Sequence, residues 1–399
     1  MRSNLTVKTL DRFIGITLGV IVYFCDSLKP ARRKTHDCRK ILLIKFCCLG
    51  DAVLTLPAIR ALRHRYRNSE ITMLCTPRTH DIYEWCSLAD KIITFGVSGQ
   101  KGKIELFGKA LLLLKILIAL RREKFDIVID FDNYYTLTTI IGRFAGAPVR
   151  VGFASPGQGR KYFLTHRVNY TGNRHMVEFY ADLVRALGID VSDKNIDIAS
   201  GVSPEKIDFI RKFLRNKGYD SLLPLIAIGP GRSHNWHFLR WDEEKFVKVA
   251  KELHNRYNAM IVIVGGKSER EIADRIMKKS NSGMMINAVA MLPLDLLIAM
   301  FKICDLFICN DSGPMHIAAG AGTPTLAVFG PANHVRWGPY GSMHRVVRKN
   351  IPCSPCLFMG RMKNCASLKC VENIEPEEVV SAASRMLEDN DLIMKRSLK

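Results

Sequence analysis

The chain predicts an α/β protein built from two Rossmann-like halves, and three observations carry that prediction. From Lys40 onward, short β-rich runs alternate with longer helical stretches, the pattern of parallel sheets joined by crossover helices. The runs form two sets of comparable size, separated by a more polar stretch from Ala199 to Leu223. At 399 residues, with 48% hydrophobic and 24% charged residues, the chain is globular and long enough for two separate cores.

The elements follow in order. Residues 1–39 differ in character from the rest: the apolar run FIGITLGVIVYFC, Phe13 to Cys25, is followed by Lys29, Arg32, Arg33, Lys34, Arg39 and Lys40. The run is shorter than the roughly 20 residues an unbroken membrane span needs. A secretory signal would place its charges before the apolar stretch and a small-residue cleavage site after it, whereas here Asp11 precedes and the basic cluster follows. The segment reads as a membrane-associating anchor with its basic flank against anionic headgroups on the cytoplasmic side; a buried core helix is the alternative.

A first Rossmann-like domain is expected over residues 40–200, with runs KILLIKF (40–46), EITMLC (70–75), KIITF (91–95), DIVIDF (126–131) and VRVGF (149–153). Between them, Ile104 to Arg122 is apolar on nearly every face except Lys109, Lys115 and its basic end. It reads as a buried crossover helix, with a membrane-touching helix as the alternative. Ser203-Pro204-Glu205 is a helix-start signal inside the polar stretch. A second domain over residues 222–350 carries PLIAIGP (224–230), AMIVIVGG (259–266), MMINAVA (284–290), DLFICN (305–310), PTLAVFG (324–330) and HRVVRK (344–349). Residues 351–399 form a cysteine-containing loop and a helix over Glu375 to Leu387. No low-complexity tract or short-period repeat interrupts this order.

Lys and Arg outnumber Asp and Glu by 59 to 38, so the net charge of +21 predicts attraction to a polyanion. With no RRM-like aromatic motif and no paired Cys/His finger spacing, nucleic acid is not the expected partner; an anionic membrane surface is. Most of the twelve cysteines lie in apolar, strand-like runs, as reduced cytosolic cysteines do. Cys353, Cys356, Cys365 and Cys370 stand close enough in sequence to form a tetrahedral thiolate set for a structural metal; free surface cysteines or redox-sensitive pairs are the other readings.

Ligands of open α/β sheets sit beyond the carboxyl ends of the strands, so the informative residues should follow each run. The first run ends in Lys45-Phe46-Cys47-Cys48-Leu49-Gly50-Asp51, where Gly50 permits a tight turn and Asp51 opens a helix; a carboxylate there serves as a helix cap or as a functional group. DLFICN leads into Asp311-Ser312-Gly313-Pro314-Met315-His316, small residues at a helix start that expose backbone N–H groups to a phosphate. After PLIAIGP comes Gly231-Arg232-Ser233-His234, and after AMIVIVGG comes Lys267-Ser268-Glu269, a carboxylate placed to hold a ribose or base.

Three long blocks, ILLIKFCCLGDAVLTLPAIRALR, ICNDSGPMHIAAGAGTPTLAVFGP and RWGPYG, occur in the order found in glycosyltransferase family nine, the ADP-heptose:lipopolysaccharide heptosyltransferases, which the chain resembles from about Lys40 to Val380. The resemblance implies a GT-B fold, two Rossmann-like domains facing a central cleft. It implies an inverting transfer of heptose from a nucleotide sugar, ADP-heptose first, to a lipopolysaccharide core or lipid A acceptor at the cytoplasmic face of a bacterial inner membrane. Asp51 falls on the family's catalytic base, with Lys45 and Gly50 on the acceptor side. Arg232, Ser233, Arg240, Glu269, Leu292, Asp311, Ser312, Gly313 and His316 fall on the donor side. One position departs: two residues before Trp241 the family usually has a donor-contacting lysine, and here Leu239 stands there, with Arg240, Arg232 or His237 as substitutes for the cation.

The chemistry needs a base for the acceptor hydroxyl and donors for the charge leaving on the diphosphate. Asp51, with an ordinary carboxylate pKa near ~3.9, would be ionised, and backbone N–H groups around Ser312 to Met315 with His316 would serve the leaving group, so no metal or other cofactor is required. Asp130-Phe131-Asp132 has the spacing of a metal-holding DxD pair but ends a strand. A Walker A loop fails, because Gly96 to Lys103 has the wrong spacing and Ile104 stands where Ser or Thr belongs. A family member using another activated sugar, or a non-catalytic sugar-nucleotide-binding protein, remain the alternatives.

Overall fold

The computed structural model describes residues 38–96, 103–133, 135–154, 159–231, 239–280, 283–357, 362, 365 and 367–389. The anchor segment before Cys38 and the residues Arg232, Ser233, His234 and His237 lie outside these. Two compact units result, one ending at Lys194 and the other beginning at Asn195.

The first unit holds a parallel sheet of β1 (Lys40–Lys45), β2 (Glu70–Cys75), β3 (Lys91–Thr94), β4 (Ile127–Asp130), β5 (Val149–Phe153) and β6 (His166–Val168), ordered β3-β2-β1-β4-β5-β6. Strands buried on both faces read as unbroken apolar runs, and Ile41 to Ile44 are fully buried for that reason. β6 was not legible: three residues at a sheet edge, with His166 and Arg167 at least partly exposed, leave no apolar run to read.

The second unit repeats the design with β7 (Leu225–Gly229), β8 (Met260–Ile263), β9 (Met285–Asn287), β10 (Leu306–Asn310), β11 (Thr325–Phe329) and β12 (Arg345–Arg348), ordered β12-β11-β10-β7-β8-β9. Read from the opposite edge, this is the same order as the first sheet. In each, the chain starts a strand at the centre, builds outward on one side, then returns to the other side of that first strand. The reversal opens a crevice between the first and fourth strands, β1/β4 in one unit and β7/β10 in the other, where this fold class holds ligands.

The helices Pro204–Arg215, starting after Ser203 as the sequence signals, and Pro376–Asp389, near the expected Glu375 to Leu387, belong to the second unit. The helix Lys103–Glu123 differs from expectation. Leu113, Ile116, Leu117 and Leu120 pack onto the first core, but Leu111, Leu112, Leu114 and Ile118 are exposed, so the helix is not the buried crossover its composition suggested. Uniform apolarity hides which stripe is inside: with polar residues nearly absent, the sequence has no amphipathic contrast. No described helix is long and apolar enough to cross a membrane.

Candidate functional site

At the first crevice, β1 and β4 run side by side with Ile44 opposite Asp130, so Lys45 to Asp51 and Asp130 to Asn133 leave the sheet together. Cys48 makes the turn, with φ 59°, and the helix Leu49–Arg65 begins at once. Gly50 therefore sits inside the first helical turn and is not the turn-maker the sequence suggested.

Asp51 is not a helix cap. Its Oδ2 accepts from Lys45 Nζ at 3.1 Å and from the Tyr180 hydroxyl at 3.4 Å. Tyr180 comes from the helix Met176–Arg185, which packs against Leu49–Arg65. Lys45 Nζ also reaches Asp132 Oδ1 at 3.3 Å and lies 5.4 Å from the centre of the Tyr180 ring. The other Asp132 oxygen accepts the Phe46 backbone N–H at 2.6 Å. One buried cation thus serves two buried carboxylates. Lys45 is held ionised, because the two carboxylates outweigh the effect of its burial. Burial raises the Asp51 carboxyl above its ordinary range, and its share of Lys45 offsets only part of this. That corrects the expectation of an unperturbed acid, and it suits a proton acceptor better, since a base nearer the working pH takes a proton more readily. Lys45, fully buried, acts on Asp51 and not on an acceptor in solvent.

The neighbouring carboxylate is spent elsewhere. Asp130 Oδ2 accepts from Arg160 at 2.9 Å and from the Thr138 hydroxyl at 2.8 Å, and its Oδ1 accepts the Asp132 N–H at 3.0 Å. Asp130 and Asp132 therefore face different cations and do not form a side-by-side pair.

At the second crevice, Cys309 lies opposite Gly229, so Asn310 and Pro230 emerge together. Buried Asn310 accepts the Trp241 N–H at 2.9 Å and donates to the Pro230 carbonyl at 2.8 Å, tying three segments to one side chain. Asp311, Ser312 and Gly313 follow half-buried, leading into the helix Gly313–Gly320, where His316 is buried one turn in. Glu269 accepts the Gly266 N–H at 2.8 Å and the Ser268 hydroxyl at 2.7 Å. It lies so close to Gly231 that a Cβ there would stand 2.4 Å from its Cγ, so any side chain at residue 231 would push Glu269 out of this position. Ala290 donates to the Gly265 carbonyl at 2.8 Å, which brings the segment of half-buried Leu292 to the same end of the sheet. Leu239 is buried, while Arg240 beside it is half-buried.

Asp132, Tyr180 and Asn310 were not identified from sequence. Asp132 was weighed as half of a metal-holding DxD pair that ends a strand and not as a partner of Lys45, Tyr180 lies 129 residues from its partner, and Asn310 stands one residue before the Asp311-Ser312-Gly313 turn. Among the described residues, the groups of three potential ligand atoms within 4.8 Å of one another are Cys47, Cys48, Asp51 and His80, Asp81, Glu84. Cys353, Cys356, Cys365 and Cys370 are not among them, although their thiols together with burial push Cys370 up to about 11.

Comparison with known proteins follows the same lines. The family model Glycosyltransferase family 9 (heptosyltransferase) matches residues 113–366. The lipooligosaccharide heptosyltransferase 2 of Campylobacter jejuni is 23% identical over 349 residues, covering 86% of this chain and 97% of that protein. A family 9 glycosyl transferase from Veillonella parvula superposes with a TM-score of 0.72 at 24% identity, over 90% of this chain and 100% of the other. The E. coli ADP-heptose lps heptosyltransferase II does so at 0.69 and 20% identity, over 88% and 99%. The structural likenesses establish the two-sheet fold.

Proposed function

The chain belongs to glycosyltransferase family 9, and on that footing we propose that it moves a heptose from ADP-heptose to a lipopolysaccharide core or lipid A acceptor, with Asp51 as general base. The carrying observation is the buried Asp51 at the β1/β4 crevice, held by Lys45 and Tyr180 and raised in pKa by its burial. The names of the relatives, lipooligosaccharide heptosyltransferase 2 and ADP-heptose lps heptosyltransferase II, support this donor and acceptor. In this reading the ionised carboxylate takes the proton of the acceptor hydroxyl as the oxygen attacks the anomeric carbon, and the configuration there inverts. In the second unit, the backbone of Ser312 and Gly313 at the start of Gly313–Gly320, with His316, is suited to hold the donor's diphosphate and stabilise its charge. Engagement of Asp130 by Arg160 and of Asp132 by Lys45 favours a reaction that does not use this pair to hold a metal.

The test is transfer of labelled heptose from ADP-heptose to heptose-deficient lipopolysaccharide in EDTA. Sustained transfer is the expected result; activity restored only by a divalent cation would overturn metal independence. The buried Leu239 favours a second reading, a different activated sugar, and donor competition in the same assay separates the two.

Exposed Leu111, Leu112, Leu114 and Ile118, next to Lys115, Arg121 and Arg122 on one helix, fit a face lying on an anionic bilayer. Leu114→Glu with Ile118→Glu is expected to weaken binding to anionic phospholipid vesicles about tenfold, from the transfer free energy of two exposed side chains. Unchanged sedimentation with vesicles would remove this face from the membrane.

A further inference from the structure

Cys47 and Cys48 have no part in the mechanism above, yet they stand at its centre. They occupy the turn between β1 and the helix Leu49–Arg65, and their sulfurs are drawn together as a bonded pair of adjacent residues. Cys47 is half-buried and Cys48 exposed, so solvent reaches them, while Asp51 behind them is buried. One ligand atom from each of the three lies within 4.8 Å of the other two. A tetrahedral ion bound by two thiolates holds the sulfurs about 3.8 Å apart, so the pair binds one only when reduced and with its sulfurs moved apart within the same turn. Asp51 uses only Oδ2 for Lys45 and Tyr180, and its Oδ1 accepts no hydrogen bond from a described residue.

From this geometry we infer that the reduced pair forms, with Asp51, a site for one thiophilic divalent cation of the zinc or cadmium class. Binding replaces two S–H protons, which pass to solvent, by two S–metal bonds, and the carboxylate supplies the third ligand with a fourth position open to water. Charge favours it: Lys45 already faces both Asp51 and Asp132, so the pocket is net negative before either thiol ionises. Soft thiolates select such ions over magnesium or calcium. Occupation ties up the proton-accepting carboxylate, so the cation inhibits transfer. That consequence rests on Asp51 being the base, whereas the site itself does not.

The experiment titrates reduced, metal-free protein with cadmium in the presence of a phosphine reductant and follows the thiolate-to-metal charge-transfer band. The wild type is expected to take up one more equivalent than Cys47→Ser/Cys48→Ser, and mild oxidation of the wild type should abolish that equivalent. Equal uptake by wild type and variant overturns the site. In parallel, cadmium is expected to inhibit transfer by the wild type at least tenfold more strongly than by the variant. The extra equivalent bound without inhibition upholds the site and counts against Asp51 as the base.

Discussion

Asp51→Asn is expected to lower kcat for sugar transfer by roughly 10²- to 10⁴-fold, the usual worth of a positioned general base, while leaving donor affinity near that of the wild type. The substitution is nearly isosteric, and the charge count predicts that it folds. Lys45 now shares its charge between Asp51 and Asp132, and the variant would leave it one carboxylate at 3.3 Å. A destabilised pocket would lose activity and stability together, so thermal unfolding of the same variant separates the two causes. The pH profile is a second readout. The base must be ionised, and burial raises its pKa, so kcat/KM of the wild type should fall on the acid side above the ordinary carboxylate range. Tyr180→Phe removes a donor that stabilises the ionised form, and should move that limb to higher pH. A limb unmoved by Tyr180→Phe and a variant Asp51→Asn of wild-type kcat would together end the assignment.

How legible were these two crevices? Asp51, Asp311 and Glu269 were singled out because each follows a strand's carboxyl end, and for Asp51 the family resemblance was needed to set a functional role above a helix cap. What surrounds them was not. Tyr180 meets Asp51 only because two helices from opposite ends of one unit pack together, and nothing local to KFCCLGD records that. Asp132 carries the first unit's charge balance from just beyond β4, a strand that pairs with β1 in parallel only after β2 and β3 have been laid down, so its alignment with Lys45 is a fact of register. Arg160 falls in the short 3-10 helix Gly159–Phe163, too brief to show a periodic pattern, yet it is fully buried. Periodicity reports which face of an element is inside; it says nothing of which buried charge finds which partner across the sheet.

That buried arginine sets the second large effect. Its guanidinium donates to Asp130 Oδ2 at 2.9 Å and to the Phe153 carbonyl at 3.1 Å, and it also reaches the carbonyls of Tyr135 and Asp132. Arg160→Met keeps the apolar stem but takes the buried Asp130 carboxylate's cation away, leaving it only the neutral donors Thr138 and Asp132 N–H, and removes a donor from three carbonyls, a deletion that typically costs about 3–5 kcal/mol. Even with Arg160 present, burial holds the Asp130 carboxyl up at about 6. Without it the folded-state pKa rises further above the unfolded value, so the folded variant binds a proton that the unfolded chain releases. Its deficit should therefore be smallest in acid and grow as pH rises through and beyond 6. Urea unfolding at several pH values measures this, and adding Asp130→Asn should recover part of the loss by removing the stranded charge. A deficit flat with pH would mean that the carbonyls, not the carboxylate, carry the cost. Because Asp130 also accepts the Asp132 N–H, any loosening passes to the carboxylate that shares Lys45 with Asp51, and transfer should weaken in Arg160→Met even where the fold persists.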